Sequence, residues 1–295
     1  MEEDMFGECH AHVFMNGYDY KEAVSRHKGH PDMAAVHACF EAYRRAGIDF
    51  IRDGGDRYGV SQGARAFAGD YGIDYRSPIY AIHKKGYYGD IVGFAFDTID
   101  EYKKLVDGVT ENHGDFIKIM ASGILDFDHY GQVTTPLRDP GLIRQMVHIA
   151  HEEGYAVMVH VNTPAQIRYA LEAGCDTIEH GYYLDRDCLQ LFLETGAVWV
   201  PTLATCSNLR GCGRFDEDNV RRITASHMNN IREAVRMGVL VGCGSDAGAY
   251  MVPHAQGTLD EVRLLEEACG PDLKEKLYQS LTRSEEIIRS RFRRH

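Results

Sequence analysis

Six residues in this chain could do chemistry together: His10 and His12 in "CHAHVF", Lys118 in "DFIKIM", His160 at the end of "YAVMVHV", His180 at the end of "CDTIEH", and Asp246 at the end of "VLVGCGSD". Side chains two apart on a strand share a face, so His10 and His12 are presented together. Four imidazoles, a carboxylate and an amine form a nitrogen and oxygen donor set suited to zinc or a neighbouring first-row ion such as manganese, iron or cobalt. Lys118 is the odd member, because a protonated amine repels a cation. Burial favours the neutral amine, which can add carbon dioxide and become a carbamate with one oxygen for each of two metals. The lysine therefore argues for a binuclear site; the plain alternative is an ion pair with a carboxylate such as Asp246 and no metal bridge.

These residues need rigid elements to bring them together. Eight β-like runs alternate with helical segments, at 6–14, 48–54, 73–82, 115–120, 155–161, 175–180, 197–203 and 239–246. Between them, "RDPGLIRQMVHIAHEEG" offers Asp139 as N-cap, Pro140 in the first turn and Gly154 as terminator, and "TPAQIRYALEAG" repeats the device with Thr163, Pro164 and Gly174. Eight strands alternating with helices in 295 residues predict an α/β fold of the (β/α)8 TIM-barrel type, one domain spanning 1–295. A doubly wound open sheet is the runner-up, but the glycine-rich phosphate fingerprint it would carry after its first strand is replaced by "GECHAHVFMNG". In a barrel, active sites gather at the carboxyl ends of the strands. His10, His12, His160, His180 and Asp246 all end a run, and the pleat puts Lys118 on the inward face with Phe116 and Met120.

Composition narrows the remaining classes. Hydrophobic residues make up 44% and charged residues 26% of the chain, as in an ordinary globular protein. No apolar run approaches the roughly 20 residues of a spanning helix, and the start "MEEDMFGECH" is acidic, unlike a signal peptide. A net charge of −12 disfavours a nucleic-acid partner, and the basic "RSRFRRH" at the end reads as a solvated helix end. Eight scattered cysteines without a Cys-x-x-Cys pair predict free thiols, Cys206 and Cys212 included, and a cytoplasmic location.

Taken in order, "CHAHVF", "RDGG", "DFIKIMASG", "MVHVN", "DTIEHG", "VPTL" and "CGSDAG" resemble the amidohydrolase superfamily, within it the imidazolonepropionase-like and prolidase-like branch. The resemblance implies that His10, His12 and Asp246 hold one divalent ion, that His160 and His180 hold the second, and that carboxylated Lys118 bridges the two, with zinc the expected metal. A water or hydroxide would lie between the ions, and Asp246 would carry its proton to the departing amine. The sequence departs from the family in two places. Family members carry a β-sandwich around the barrel, and with nine residues before His10 it is expected to be absent. In "HKKGYYGD", Tyr88 stands where prolidase-like relatives show the histidine of a Gly-Gly-His-Gly-Asp pattern.

Loops after the strands should line the pocket. Tyr182 and His254, near ligand residues in sequence, are the leading substrate contacts, with Tyr88 and Asn162 beside them. His27, His30 and His37 read as a histidine-rich surface loop running into a helix. The whole reads as a metal-dependent hydrolase of an amide C–N bond in a small molecule, such as a dipeptide or N-acyl amino acid. A lactone, carbamate, urea or phosphoester hydrolase, a one-metal deaminase, and a catalytically silent binding barrel are the alternatives. Self-association into a homo-oligomer is open by analogy.

Overall fold

The computed structural model describes residues 5–293; the first four residues of the acidic start and the last two of the basic end lie outside them. Among the described residues, nine strands run β1 Glu8–Ala11, β2 Phe50–Asp53, β3 Asp74–Arg76, β4 Ala81–Lys84, β5 Gly93–Phe96, β6 Ile117–Met120, β7 Val157–Val161, β8 Thr177–His180 and β9 Val198–Val200. The helices are α1 Tyr20–His27, α2 Met33–Arg45, α3 Val60–Ala64, α4 Ile99–Glu111, α5 Pro140–Glu152, α6 Pro164–Glu172, α7 Arg186–Thr195, α8 Ala204–Ser207, α9 Glu217–Met237, α10 Gln256–Cys269 and α11 Lys274–Arg291. All ladder pairings are parallel, in two sheets ordered β1-β2-β3 and β5-β4-β6-β7-β8-β9.

Backbone hydrogen bonds cross both gaps between the sheets. On one side, residues 240–247 bond to β9 through Trp199 N to Leu240 O (2.8 Å) and to β1 through Cys9 N to Cys243 O (2.8 Å) and His12 N to Ala247 O (2.7 Å). On the other, Asp56 N donates to Ile79 O at 3.0 Å and Asp115 N to Ser77 O at 2.8 Å. The fold is the α/β barrel arrangement expected, with three differences of detail. The run at 73–82 is two strands, because Pro78 lacks an N–H for the ladder and Ile79 takes φ 67°. The run at 239–246 makes an isolated bridge, Trp199 with Val241, in place of a regular strand, and Ala247 immediately after it bridges to Ala11. A short strand unforeseen in the sequence, β5, pairs with β4.

The helices that cover the wall start where the capping chemistry says they should. Asp139 caps α5 by accepting from Leu142 N, with Pro140 in the first turn, and Ile143, Met146, Val147 and Ala150 are buried. Thr163 precedes Pro164 at α6, although its hydroxyl bonds Gln166 instead of a backbone N–H. The apolar residues form two groups: a large one around the strands and helices, and a smaller one of Cys9, Phe50, Phe116, Met158, Val198 and Val200. The smaller group is closed by Ile288 of α11 and by Phe292 just beyond it. Arg289 pairs with Glu285 and Asp49, so part of the basic end is tied down. All eight cysteines are free. Among the described residues, no helix is long and apolar enough to cross a membrane.

Candidate metal centre

The six donors expected from the sequence converge. Lys118 Nζ lies 3.1 Å from His10 Nε2 and 3.3 Å from His12 Nε2, and Asp246 Oδ1 lies 3.6 Å from both nitrogens. One donor atom each from His10, His180 and Asp246 fall within 4.8 Å of one another. The His180 ring is 4.9 Å from that of His10 and 4.4 Å from that of His160. A register shift between Glu8 and Ala11 accompanies an inward His10 immediately after Cys9, itself part of the barrel interior.

Each imidazole is anchored by its other nitrogen, which decides the edge it presents. His10 Nδ1 is 2.7 Å from Glu179 Oε2, His12 Nδ1 is 3.2 Å from Gly55 O, and His180 Nδ1 is 2.8 Å from Thr202 Oγ1. His160 is held by Nε2 at 3.2 Å from Gly123 O. A ring nitrogen that donates to an oxygen leaves the opposite one with its lone pair free, which is how metal-binding histidines are oriented. Glu179 is fully buried and tied to Arg52, whose Nη2 donates to Oε1 at 2.9 Å. The same guanidinium donates to Cys9 O at 2.6 Å and Thr177 Oγ1 at 3.0 Å and lies 4.5 Å from the Phe292 ring centroid. Glu8, also fully buried, joins β1 to the 240–247 segment by accepting from Ser245 N (2.8 Å) and Oγ (2.5 Å), Thr258 Oγ1 (2.6 Å) and His10 N (3.1 Å).

Burial, reinforced by the Lys118 charge, keeps the four imidazoles neutral: His10, His12 and His180 titrate well below the usual histidine range, and His160 is pushed down to about 3. Burial also lowers the Lys118 amine and raises the Asp246 carboxyl. Asp246 Oδ1 is buried without a hydrogen-bond partner, a costly state for a carboxylate unless a cation or proton meets it. A Cβ added to Gly54, at the end of β2, would come within 2.6 Å of both His12 Nε2 and Lys118 Nζ, so glycine is what lets those atoms sit there. Neutral, anchored imidazoles beside an orphaned carboxylate oxygen fit a divalent metal.

The expected substrate contacts fare differently from one another. The half-buried Tyr88 has its ring 5.5 Å from that of His160. Asn162 is buried and donates from Nδ2 to Gly123 O at 3.0 Å, leaving Oδ1 unpartnered. The Tyr182 hydroxyl is buried and donates to Thr202 O at 2.9 Å. His254 bonds Met15 O at 2.8 Å and lines a cavity of about 260 Å³ with Phe14, Arg26 and Cys39. His27 is not on the surface as expected: it is buried, accepting from Asp32 N at 3.0 Å, because the chain folds back between α1 and α2. The sequence reading missed Glu8, Arg52, Glu179 and Thr202. Glu179 stands inside "DTIEHG", and an acid next to a candidate ligand histidine was the available signal.

The profile of the Amidohydrolase family matches residues 9–284. An uncharacterised protein of Mycobacterium tuberculosis is 31% identical over 185 residues, covering 60% of this chain and 48% of the relative. The ochratoxinase of Aspergillus niger is 26% identical over 187 residues, covering 60% and 36%. This chain thus spans about half or less of the length of these curated relatives. A crystal structure of a prolidase complexed with N-methylphosphonate-L-proline superposes with a TM-score of 0.76 at 24% identity, covering 96% of this chain and 74% of the other. That likeness shows a shared fold.

Proposed function

The chain belongs to the amidohydrolase family, and from that premise we propose that it is a binuclear metal-dependent hydrolase cleaving an amide C–N bond in a small substrate, a dipeptide or N-acyl amino acid. The observation that carries this reading is the meeting of His10, His12, Lys118, His160, His180 and Asp246 at one mouth, with an unpartnered Asp246 Oδ1 among them. His10, His12 and Asp246 would hold one ion and His160 and His180 the other, with Lys118 as a carbamate between them. Bound there, two divalent cations, zinc by the character of the donors, would polarise a carbonyl and acidify water. The chain's own part is to orient and to move protons. Asp246 would take a proton at Oδ1 during attack and return it to the leaving nitrogen. Tyr88, whose ring lies near that of His160, and Asn162, which shares Gly123 O with His160, would contact the substrate, together with His254 and Tyr182. Relatives named as a prolidase and an ochratoxinase support the amide over the lactone and phosphoester.

One observation favours a second reading. His10, His180 and Asp246 form a compact three-donor group with Lys118 as a free amine beside it, a pattern that a one-metal deaminase could use. Elemental analysis of protein prepared with zinc and bicarbonate, followed by a panel of dipeptides, N-acyl amino acids, lactones, aryl esters and aminated bases, separates the two. Two metals per chain with amide turnover is the expected result; one metal with ammonia release from an aminated base overturns it.

A further inference from the structure

After β9 the chain turns through Pro201, Thr202, Leu203 and Ala204, and buried side chains from three separate places, Tyr182, His227 and Glu261, grip every one of these residues. Pro201 O is 2.8 Å from Nε2 of His227 in α9. Thr202 O accepts from the Tyr182 hydroxyl at 2.9 Å and from Thr205 N and Oγ1 at 3.1 and 2.9 Å. Leu203 N and Ala204 N donate to Glu261 of α10 at 2.9 and 2.7 Å. Tyr182 and His227 stack at 4.2 Å, and Trp199 meets the His227 ring edge-on while its own Nε1 donates to His180 O at 2.9 Å. Glu261, His227 and Thr202 are all fully buried.

This concentration of polar bonds needs a reason, since Thr202 takes φ 50°, a left-handed conformation that is an outlier for a β-branched residue. Such a conformation persists only where its surroundings over-determine it. What it achieves is visible at one atom: Thr202 Oγ1 is placed 2.8 Å from His180 Nδ1. If the hydroxyl oxygen accepts from Nδ1–H, the lone pair of Nε2 is free; if the hydroxyl donates, Nε2 carries the proton and cannot bind a cation. Tyr182 thereby gains a part beyond contact with substrate, since its hydroxyl is committed to the corner.

We propose that the 201–204 corner is a positioning device for His180, with Thr202 as the residue that fixes the imidazole in the Nδ1–H form. The inference rests on the metal reading above and assigns Thr202, Tyr182, His227 and Glu261 work that the ligand set alone does not. Outer partners of metal-bound histidines change affinity by about 10–100-fold when removed. The test is zinc binding to the whole chain by competition with a chromophoric chelator, with metal-free thermal unfolding as a control for fold. Thr202→Val, which keeps the shape and removes the oxygen, should weaken one zinc equivalent by about tenfold or more, while Thr202→Ser should stay within about twofold of wild type. Equal affinities in wild type and Thr202→Val overturn the inference alone; wild-type protein that binds no zinc overturns the metal reading and the inference with it. Should Thr202→Val fail to fold, long-range 1H–15N spectra of the metal-free wild type decide the matter: His180 protonated on Nδ1 supports the device, and protonation on Nε2 overturns it.

Discussion

The two ends of the barrel are built on opposite terms. Toward the amino-terminal end of the strands, Phe50, Phe116, Met158 and Val198 pack with Ile288 and Phe292 into an apolar floor. At the other end, His180, Thr202 and Asp246 take φ values of 69°, 50° and 59°, and neutral imidazoles stand around a carboxylate oxygen without a partner. Each left-handed non-glycine residue costs about 1–3 kcal/mol, whereas each fully buried phenylalanine contributes about 1.5–3 kcal/mol. The floor and the helical shell thus offset strain concentrated at the mouth. The difference teaches that residues of the mouth are placed for chemistry at the expense of stability, and that substitutions at the two ends should divide cleanly between activity and folding.

The sharpest way to break that division is Asp246→Asn. If Asp246 carries the proton as proposed, loss of its carboxylate should lower kcat about 10³-fold, while asparagine tolerates the left-handed backbone and the unfolding free energy should change by less than about 1 kcal/mol. Steady-state kinetics beside urea unfolding reads both, and a variant that unfolds would show the mouth to be structural after all. Phe292→Ala is the counterpart at the floor. It should cost about 3–5 kcal/mol of stability and leave kcat of the folded fraction within about threefold; a collapse of kcat at unchanged stability would erase the distinction. A third test uses pH. Burial holds His227 at about 4 in the folded chain, below the ordinary value near 6.5. The unfolded chain therefore binds the proton first, and stability is lost as pH falls from about 6.5 toward 4, by up to about 3 kcal/mol from this group. His227→Gln keeps an N–H to offer Pro201 O and should make the unfolding midpoint less pH-dependent. Phe292→Ala should lower stability equally at pH 7 and pH 5, so a parallel pH slope in wild type and His227→Gln would count against the assignment.

Much of this was legible in the letters because periodicity and strand ends are local signals. The spacing of His10 and His12, the inward face of Lys118, and the terminal positions of His160, His180 and Asp246 followed from alternation, and their convergence matches it. What could not be read depends on broken alternation. Glu179 and His180 are neighbours and on a regular strand would face opposite ways, yet Glu179 bonds His10 and the His180 ring stands beside the same imidazole, where a φ of 69° at His180 breaks the alternation. Thr202 was hidden for the same reason, since its role depends on a backbone angle that a β-branched residue rarely adopts. The missing regularity of 239–246 arises where backbones nearly touch: a Cβ on Gly244 would lie 2.8 Å from His10 N. Contacts spanning distant sequence, such as Glu8 with Ser245 and Thr258, leave no periodic trace.

Arg52 and Glu179, both sealed from solvent, have a consequence for how such a chain could change over generations. Removing either member strands the other's charge in a dry interior, at about 3–5 kcal/mol, a large share of what holds a domain of ordinary stability folded. Replacing both by well-packed apolar groups need cost little, but the path to that state passes through one of two near-lethal intermediates. The pair should be inherited together or lost together, and so should the orientation it imposes on His10.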